Sequence, residues 1–268
     1  MLRREPPRAG DAGDRDRHAL TYDDVGDPAG IPVVYLHGGG DSRVSRHPDD
    51  SIAAALGVRL LALERSGPGI RRPTLRAWAD EVLPQLPVDE FAVVGWSAGG
   101  PHALALAAAA PERVRRVAAV GSLPPAALLG EVSSDVRTVM RLSRVSPMLA
   151  RFPLERWGRR PVPPTCSAQC DDAYTRGRTE SFRSGGLWLA YELAYLTRPW
   201  GFELGDVRAP VTLWFGERDT TCPPAIAREL QRRLPDATIR LVDDTHQLLF
   251  SRWSEILTDV AREPRTGP

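Results

Sequence analysis

The stretch "VVGWSAGGPHALALA", Val93 to Ala107, places a serine two residues from a glycine on each side, between an apolar run and an alanine-rich one. Phe91 to Gly95 are apolar or glycine and include Val93 and Val94, which suits a short buried strand, whereas the alanines and leucines after Pro101 suit a helix. Ser97 then sits on the turn between them. Gly95-Trp96-Ser97-Ala98-Gly99 is a G-x-S-x-G pattern. Its glycines are expected where a strand turns sharply into a helix, because side chains there would collide with neighbouring elements. Such a turn exposes Ser97 at the carboxyl edge of a sheet, beside a helix N-terminus that favours developing negative charge.

Working outward, apolar strand patterns alternate with helical ones. "HALTYDDVGDPAGIPVVYLHGGGD" reads as a strand-like start, a turn at Gly26 to Gly30 and a buried strand ending in glycines. "SIAAALGVRLLALERSGPG" follows as helix, glycine stop, strand and loop, and "TLRAWADEVLPQL" as an amphipathic helix capped by a threonine. After the serine, "VRRVAAVGS", "PVTLWFGERD" and "TIRLVDD" read as further strands, with the helix "AIARELQRRL" between the last two and a final helix from about Ser251. The alternation predicts an α/β fold, a mostly parallel sheet covered by helices on both faces. It breaks between about Ser133 and Gly205, where helical patterns follow one another without a strand. The expected organisation is a disordered tail at 1–17, a core formed by 18–132 and 206–268, and a helical cap inserted at 133–205.

Composition narrows the function. The 268 residues are 42% hydrophobic, and 35 basic residues, all arginine, balance 34 acidic ones to a net charge of +1, so there is no excess to draw nucleic acid or an anionic membrane. No apolar run is long enough to span a bilayer, and the charged N-terminus has no apolar segment behind it. Of the three cysteines, Cys166 and Cys170 are four apart without a second pair or a nearby histidine in sequence. The expectation is therefore a reduced, cytoplasmic protein with no metal and no organic cofactor.

A serine hydroxyl needs a base to take its proton, and the base needs an acid to orient it. Asp219 closes "VTLWFGERD" and His246 follows "TIRLVDDT", each just past a strand end. Strand-end position favours Asp219 over Asp243, Asp244 and Glu217, which stay as alternative acids. With "HGGG" at His37 to Gly40 and "ERSGPG" at Glu64 to Gly69, the order Ser97, Asp219, His246 resembles that of the α/β-hydrolase superfamily of serine esterases, from about Tyr22 to Trp253. Glu64 stands where that family usually has aspartate, and "HGGGD" departs from the H-G-G-P-G of its proline iminopeptidases.

The resemblance implies an α/β-hydrolase fold, with backbone N–H groups of Gly39 and Ala98 as the oxyanion hole and Ser97, His246 and Asp219 as nucleophile, base and acid. It makes His37 a brace of the oxyanion loop. His102 is expected to be structural, His18 to belong to the tail, and His47 and Arg43 to lie in a solvated loop near the pocket. Trp96 is expected to pack beneath the turn. In "GLWLAYELAYL", Trp188, Tyr191 and Tyr195 share a helix face that either packs the cap onto the core or lines the pocket for an apolar acyl group. The expected reaction is hydrolysis of a carboxylic ester or related acyl bond of a small molecule, by a monomer or homo-oligomer. Two alternatives share the scaffold: a biosynthetic acyltransferase, cyclase or lyase, and a receptor-like protein that binds a ligand without consuming it.

Overall fold

A computed structural model describes residues 19–65 and 73–262. Among the described residues, seven strands form one sheet in the order β1-β3-β2-β4-β5-β6-β7. These are β1 (Tyr22–Gly26), β2 (Ile31–Leu36), β3 (Val58–Leu63), β4 (Phe91–Trp96), β5 (Val114–Val120), β6 (Val211–Gly216) and β7 (Ala237–Val242). Only β1 runs antiparallel, against β3; the other pairs are parallel. All six residues of β4 are buried, as expected for a parallel strand covered on both sides.

Alternation along the strands divides the core into two layers. Val34 and Leu36 pack with α2 (Leu75–Val82) and α3 (Gly99–Ala109), while Val33 and Tyr35 pack with α10 (Trp253–Val260). The helices form where the sequence provides starts and stops. Thr74 caps α2 by accepting the Ala77 N–H at 3.1 Å, and Gly57, at φ +63°, ends α1 (Ser51–Ala55). The helix after the serine begins at Gly99, two residues before Pro101. It is buried over nearly its whole length, which only a helix of small side chains can achieve against a sheet.

Between β5 and β6 the chain forms four helices: α4 (Ser134–Val145), α5 (Pro147–Gly158), α6 (Ala168–Ser181) and α7 (Leu187–Leu196). Ser133, Ser146 and Ser167 cap the first three, each accepting the backbone N–H three residues on. After β6 come α8 (Pro224–Gln231), β7, α9 (Leu248–Ser251) and α10. His18 and Ser66 to Gly69 of "ERSGPG" lie outside the described residues. Among those described, no helix is long and apolar enough to cross a membrane.

Candidate active site

Crossing from β3 to β4, the chain passes over β2, so β4 lies where the sheet order reverses. In open parallel sheets this is where the carboxyl ends leave a crevice. Ser97 follows β4 there with φ +54°, the one non-glycine residue at positive φ among those described. Such a backbone persists only when its surroundings enforce it. A Cβ on Gly99 would strike the Leu36 carbonyl oxygen, and one on Gly95 would strike Gly99 and lie 2.8 Å from the Ala103 Cβ. The bonds Ser97 N–H to Val120 O (2.8 Å) and Leu123 N–H to Ser97 O (3.1 Å) fix the turn from the β5 side.

The three residues expected from strand ends meet. His246 Nε2 lies 3.0 Å from Ser97 Oγ, and His246 Nδ1 lies 2.7 Å from Asp219 Oδ2. An ionised carboxylate only accepts, so Nδ1 carries the proton and Nε2 turns its lone pair to the hydroxyl. Asp219 is itself held, its Oδ1 accepting the N–H groups of Thr221 (2.8 Å) and Cys222 (2.9 Å). Burial, and then the charge of Asp219, push the Cys222 thiol well above its ordinary pKa. Gly121 leaves room for the imidazole, since a Cβ there would lie 3.2 Å from the ring, and Trp96 Nε1 donates to the His246 carbonyl at 3.0 Å. The alternative acids point elsewhere. Asp243 pairs with Arg218 at 2.8 Å, Asp244 accepts from Thr245 N–H and the Ser251 hydroxyl, and Glu217 is exposed.

Gly39 lies against Ala98, the N-cap of α3; a Cβ on Gly39 would stand 3.3 Å from that of Ala98. His37 Nδ1 is 2.8 Å from the Gly38 carbonyl oxygen, and Nε2 accepts the Arg65 backbone N–H at 3.1 Å. The Arg65 guanidinium donates to the His37 carbonyl and to Glu192 of α7. His102 on α3 joins this group through Arg65, the Ala98 carbonyl oxygen (2.7 Å) and the Tyr195 hydroxyl (2.5 Å).

Of the α7 aromatic residues, Trp188 is buried and donates to the Ser181 carbonyl at 2.8 Å, Tyr195 is buried against His102, and Tyr191 is half-buried. The side chains of α7 that reach Gly39 are Leu189 and Glu192, which the sequence reading passed over. One signal was present: Glu192 is the only charge in "LWLAYELAYL", on a helix with no polar face.

Asp41 was also passed over. It lies buried beside Gly38, 3.9 Å from the buried Arg178 Nε of α6. Burial pushes its carboxyl up to about 6, against the opposing pull of Arg178, His37, His246 and Arg65. Arg178 in turn lies 3.9 Å over the Trp157 ring and donates to the Tyr174 hydroxyl at 2.9 Å. Arg43 and His47 are partly buried instead of solvated: Arg43 pairs with Asp23 at 2.9 Å and Glu180 at 2.8 Å, and partial burial lowers the His47 pKa.

Comparison with known proteins bears on the family and the fold. A family profile described as alpha/beta hydrolase fold matches residues 31–141. A protein of Aromatoleum aromaticum named pimeloyl-[acyl-carrier protein] methyl ester esterase is 34% identical over 252 residues, 86% of this chain and 98% of the relative. One of the same name from Chromobacterium violaceum is 28% identical over 225 residues, 78% of this chain and 84% of the relative. In fold, the chain is similar to the crystal structure of an esterase from a Rhodococcus species, with TM-score 0.66 at 20% identity over 91% of this chain and 95% of the other. The chain belongs to the alpha/beta hydrolase family.

Proposed function

We propose that the protein is a serine esterase that cleaves a carboxylic ester of an apolar acyl group through an acyl-enzyme. The observation that carries this reading is the unbroken relay from Asp219 through His246 to Ser97, at 2.7 and 3.0 Å. Ser97 Oγ attacks the carbonyl carbon as its proton passes to His246 Nε2. The carbonyl oxygen becomes an oxyanion held by the N–H groups of Gly39 and Ala98, each donor worth about 3 kcal/mol in the transition state. Collapse expels the alcohol with the proton from His246, and water repeats the sequence to release the acid. Asp219 orients the imidazole and stabilises its charged form, and no metal or organic cofactor takes part.

Helices α4 to α7 serve as the lid. A Cβ on Gly40 would strike the Trp157 ring and lie 3.1 Å from Phe182, so side chains of this segment press directly on the Gly-rich loop. Trp188, Tyr191 and Tyr195 stiffen the wall that Leu189 presents to the acyl group. Two relatives are named for methyl esters on an acyl-carrier protein, and we extend that substrate class to this chain. Val145, Met148, Leu149 and Phe152 stand exposed on α4 and α5, and Arg141 and Arg144 of α4 line a cleft with Ala126 and Leu129. An acidic carrier would find apolar contact and opposite charge there. Three free cysteines and such a substrate support a reducing, cytoplasmic setting for this activity.

The test is a panel of methyl esters, free and carrier-linked, with wild type and Ser97→Ala. Loss of six orders of magnitude or so in turnover by the folded variant is expected, since removing the nucleophile leaves only binding and oxyanion contributions. Retained turnover would overturn the acyl-enzyme and bring forward the lyase or cyclase reading. Carrier-linked esters should lose their advantage as salt rises; an advantage independent of salt sinks the carrier surface.

A further inference from the structure

Cys166 and Cys170 have no histidine near them in sequence, but the fold supplies one. A ring nitrogen of His47, from the loop between β2 and α1, and the two sulfurs all lie within 4.8 Å of one another. The sulfurs are 3.2 Å apart and not bonded as a disulfide. Cys170 is fixed and buried in the first turn of α6, its N–H held by Ser167 Oγ at 3.2 Å, whereas Cys166 precedes the cap and is exposed. The group therefore has one rigid ligand, one adjustable ligand and an open path from solvent.

We propose that His47, Cys166 and Cys170 form a binding site for one zinc-class cation, with water in the fourth position. Two thiolates and an imidazole are the donor set that soft and borderline divalent ions select over calcium or magnesium. Tetrahedral zinc, with bonds of about 2.3 Å to sulfur and about 2.0 Å to nitrogen, sets its sulfurs about 3.8 Å apart and sulfur to nitrogen about 3.6 Å apart. The observed cluster reaches that arrangement by shifts on the order of 1 Å at side-chain tips, which Cys166 can make outside the helix. Charge does not oppose it. Arg46, the cation beside His47, is engaged by Asp50, and Asp49 adds a negative group at the same loop. The ion would join the loop after β2 to α6, the helix that carries Tyr174 and Arg178, independently of the ester-cleaving assignment.

Cobalt(II) titration of the reduced, full-length protein tests the site. Wild type should bind one equivalent, with a thiolate-to-cobalt charge-transfer band in the near ultraviolet. Cys166→Ser should lose most of that band, and His47→Gln should bind at least tenfold more weakly. Both variants should hydrolyse a short ester at the wild-type rate, which establishes that they fold. Zinc should raise the Tm of wild type and leave that of Cys166→Ser unchanged. No charge-transfer band, equal cobalt affinity in His47→Gln, or an equal zinc effect on both melting curves each overturns the proposal.

Discussion

Strand ends and inserted helices surround Ser97 by different means. On the strand side, Ser97, His246 and Asp219 are joined by hydrogen bonds of ordinary length, and the free oxygen of Asp219 accepts two backbone N–H groups. On the helix side, Arg65 meets Glu192 and Arg178 approaches Asp41, all four buried. There Glu192 Oε2, Asp41 Oδ1 and the Nε atoms of both arginines have no hydrogen-bond partner among the described residues. In the proposed mechanism the groups that move a proton are the satisfied, aligned ones, while the neighbouring buried pairs carry charge they only partly compensate. The two sides should therefore respond differently to substitution, the first in rate and the second in stability.

The largest effect tests the strand side. Asp219→Asn should keep the fold and lower kcat by about 10⁴, by analogy with the serine-protease triad, because an amide presents the wrong partner to Nδ1 and admits the wrong tautomer. Asp244→Asn and Glu217→Gln should change kcat by less than about tenfold, since their carboxylates do not face the imidazole. A larger loss for Asp244→Asn would show that the acid acts from the other strand.

The next effect tests the helix side. Glu192→Ala leaves the Arg65 charge buried, and breaking a buried pair from one side typically destabilises by about 3 to 5 kcal/mol. Replacing both partners, Arg65→Met with Glu192→Leu, should recover much of that loss, because desolvation of the two charges no longer opposes folding. Denaturant unfolding of wild type and the two variants measures the loss and its recovery. If the single variant unfolds like wild type, the pair does not brace the wall.

The contrast also explains what the sequence made legible. Ser97, Asp219 and His246 could be assigned because strand ends converge on one edge of a parallel sheet, so position along the chain carries spatial information. The turn at Ser97 is readable from Gly95 and Gly99, whose missing side chains are a geometric demand. Glu192 and Arg178 reach the site from helices whose packing angles follow no periodic rule in sequence, and nothing in "HGGGD" indicates that Asp41 will be buried. His47 was likewise read as solvated, because nothing local to "SRHPDD" indicates that α6 will cover it. Trp188, Tyr191 and Tyr195 were rightly placed on one helix, but spacing alone could not tell which residues of that helix reach Gly39.

The smallest effect uses pH to sharpen the comparison at Asp41. Its carboxyl is raised from an ordinary value of 3.8 to about 6, chiefly by burial, so the folded state prefers the protonated form. Well below pH 3.8 the group is protonated whether the chain is folded or not, and it contributes nothing to the pH dependence. Between pH 4 and 6 the unfolded chain releases the proton first, so stability falls as pH rises, by about 3 kcal/mol for a shift of this size. Asp41→Asn fixes a neutral side chain at the same position and should remove that fall. His47, with its pKa lowered by burial, acts in the opposite sense, losing stability as pH drops, but it is present in both proteins and cancels in the difference. The difference in unfolding free energy between the two proteins, measured from pH 4 to 7, should thus move steadily in the variant's favour as pH rises, whatever offset Arg178 imposes at pH 4. Parallel curves would mean that Asp41 titrates alike in the folded and unfolded chain, the pull of Arg178 cancelling the effect of burial.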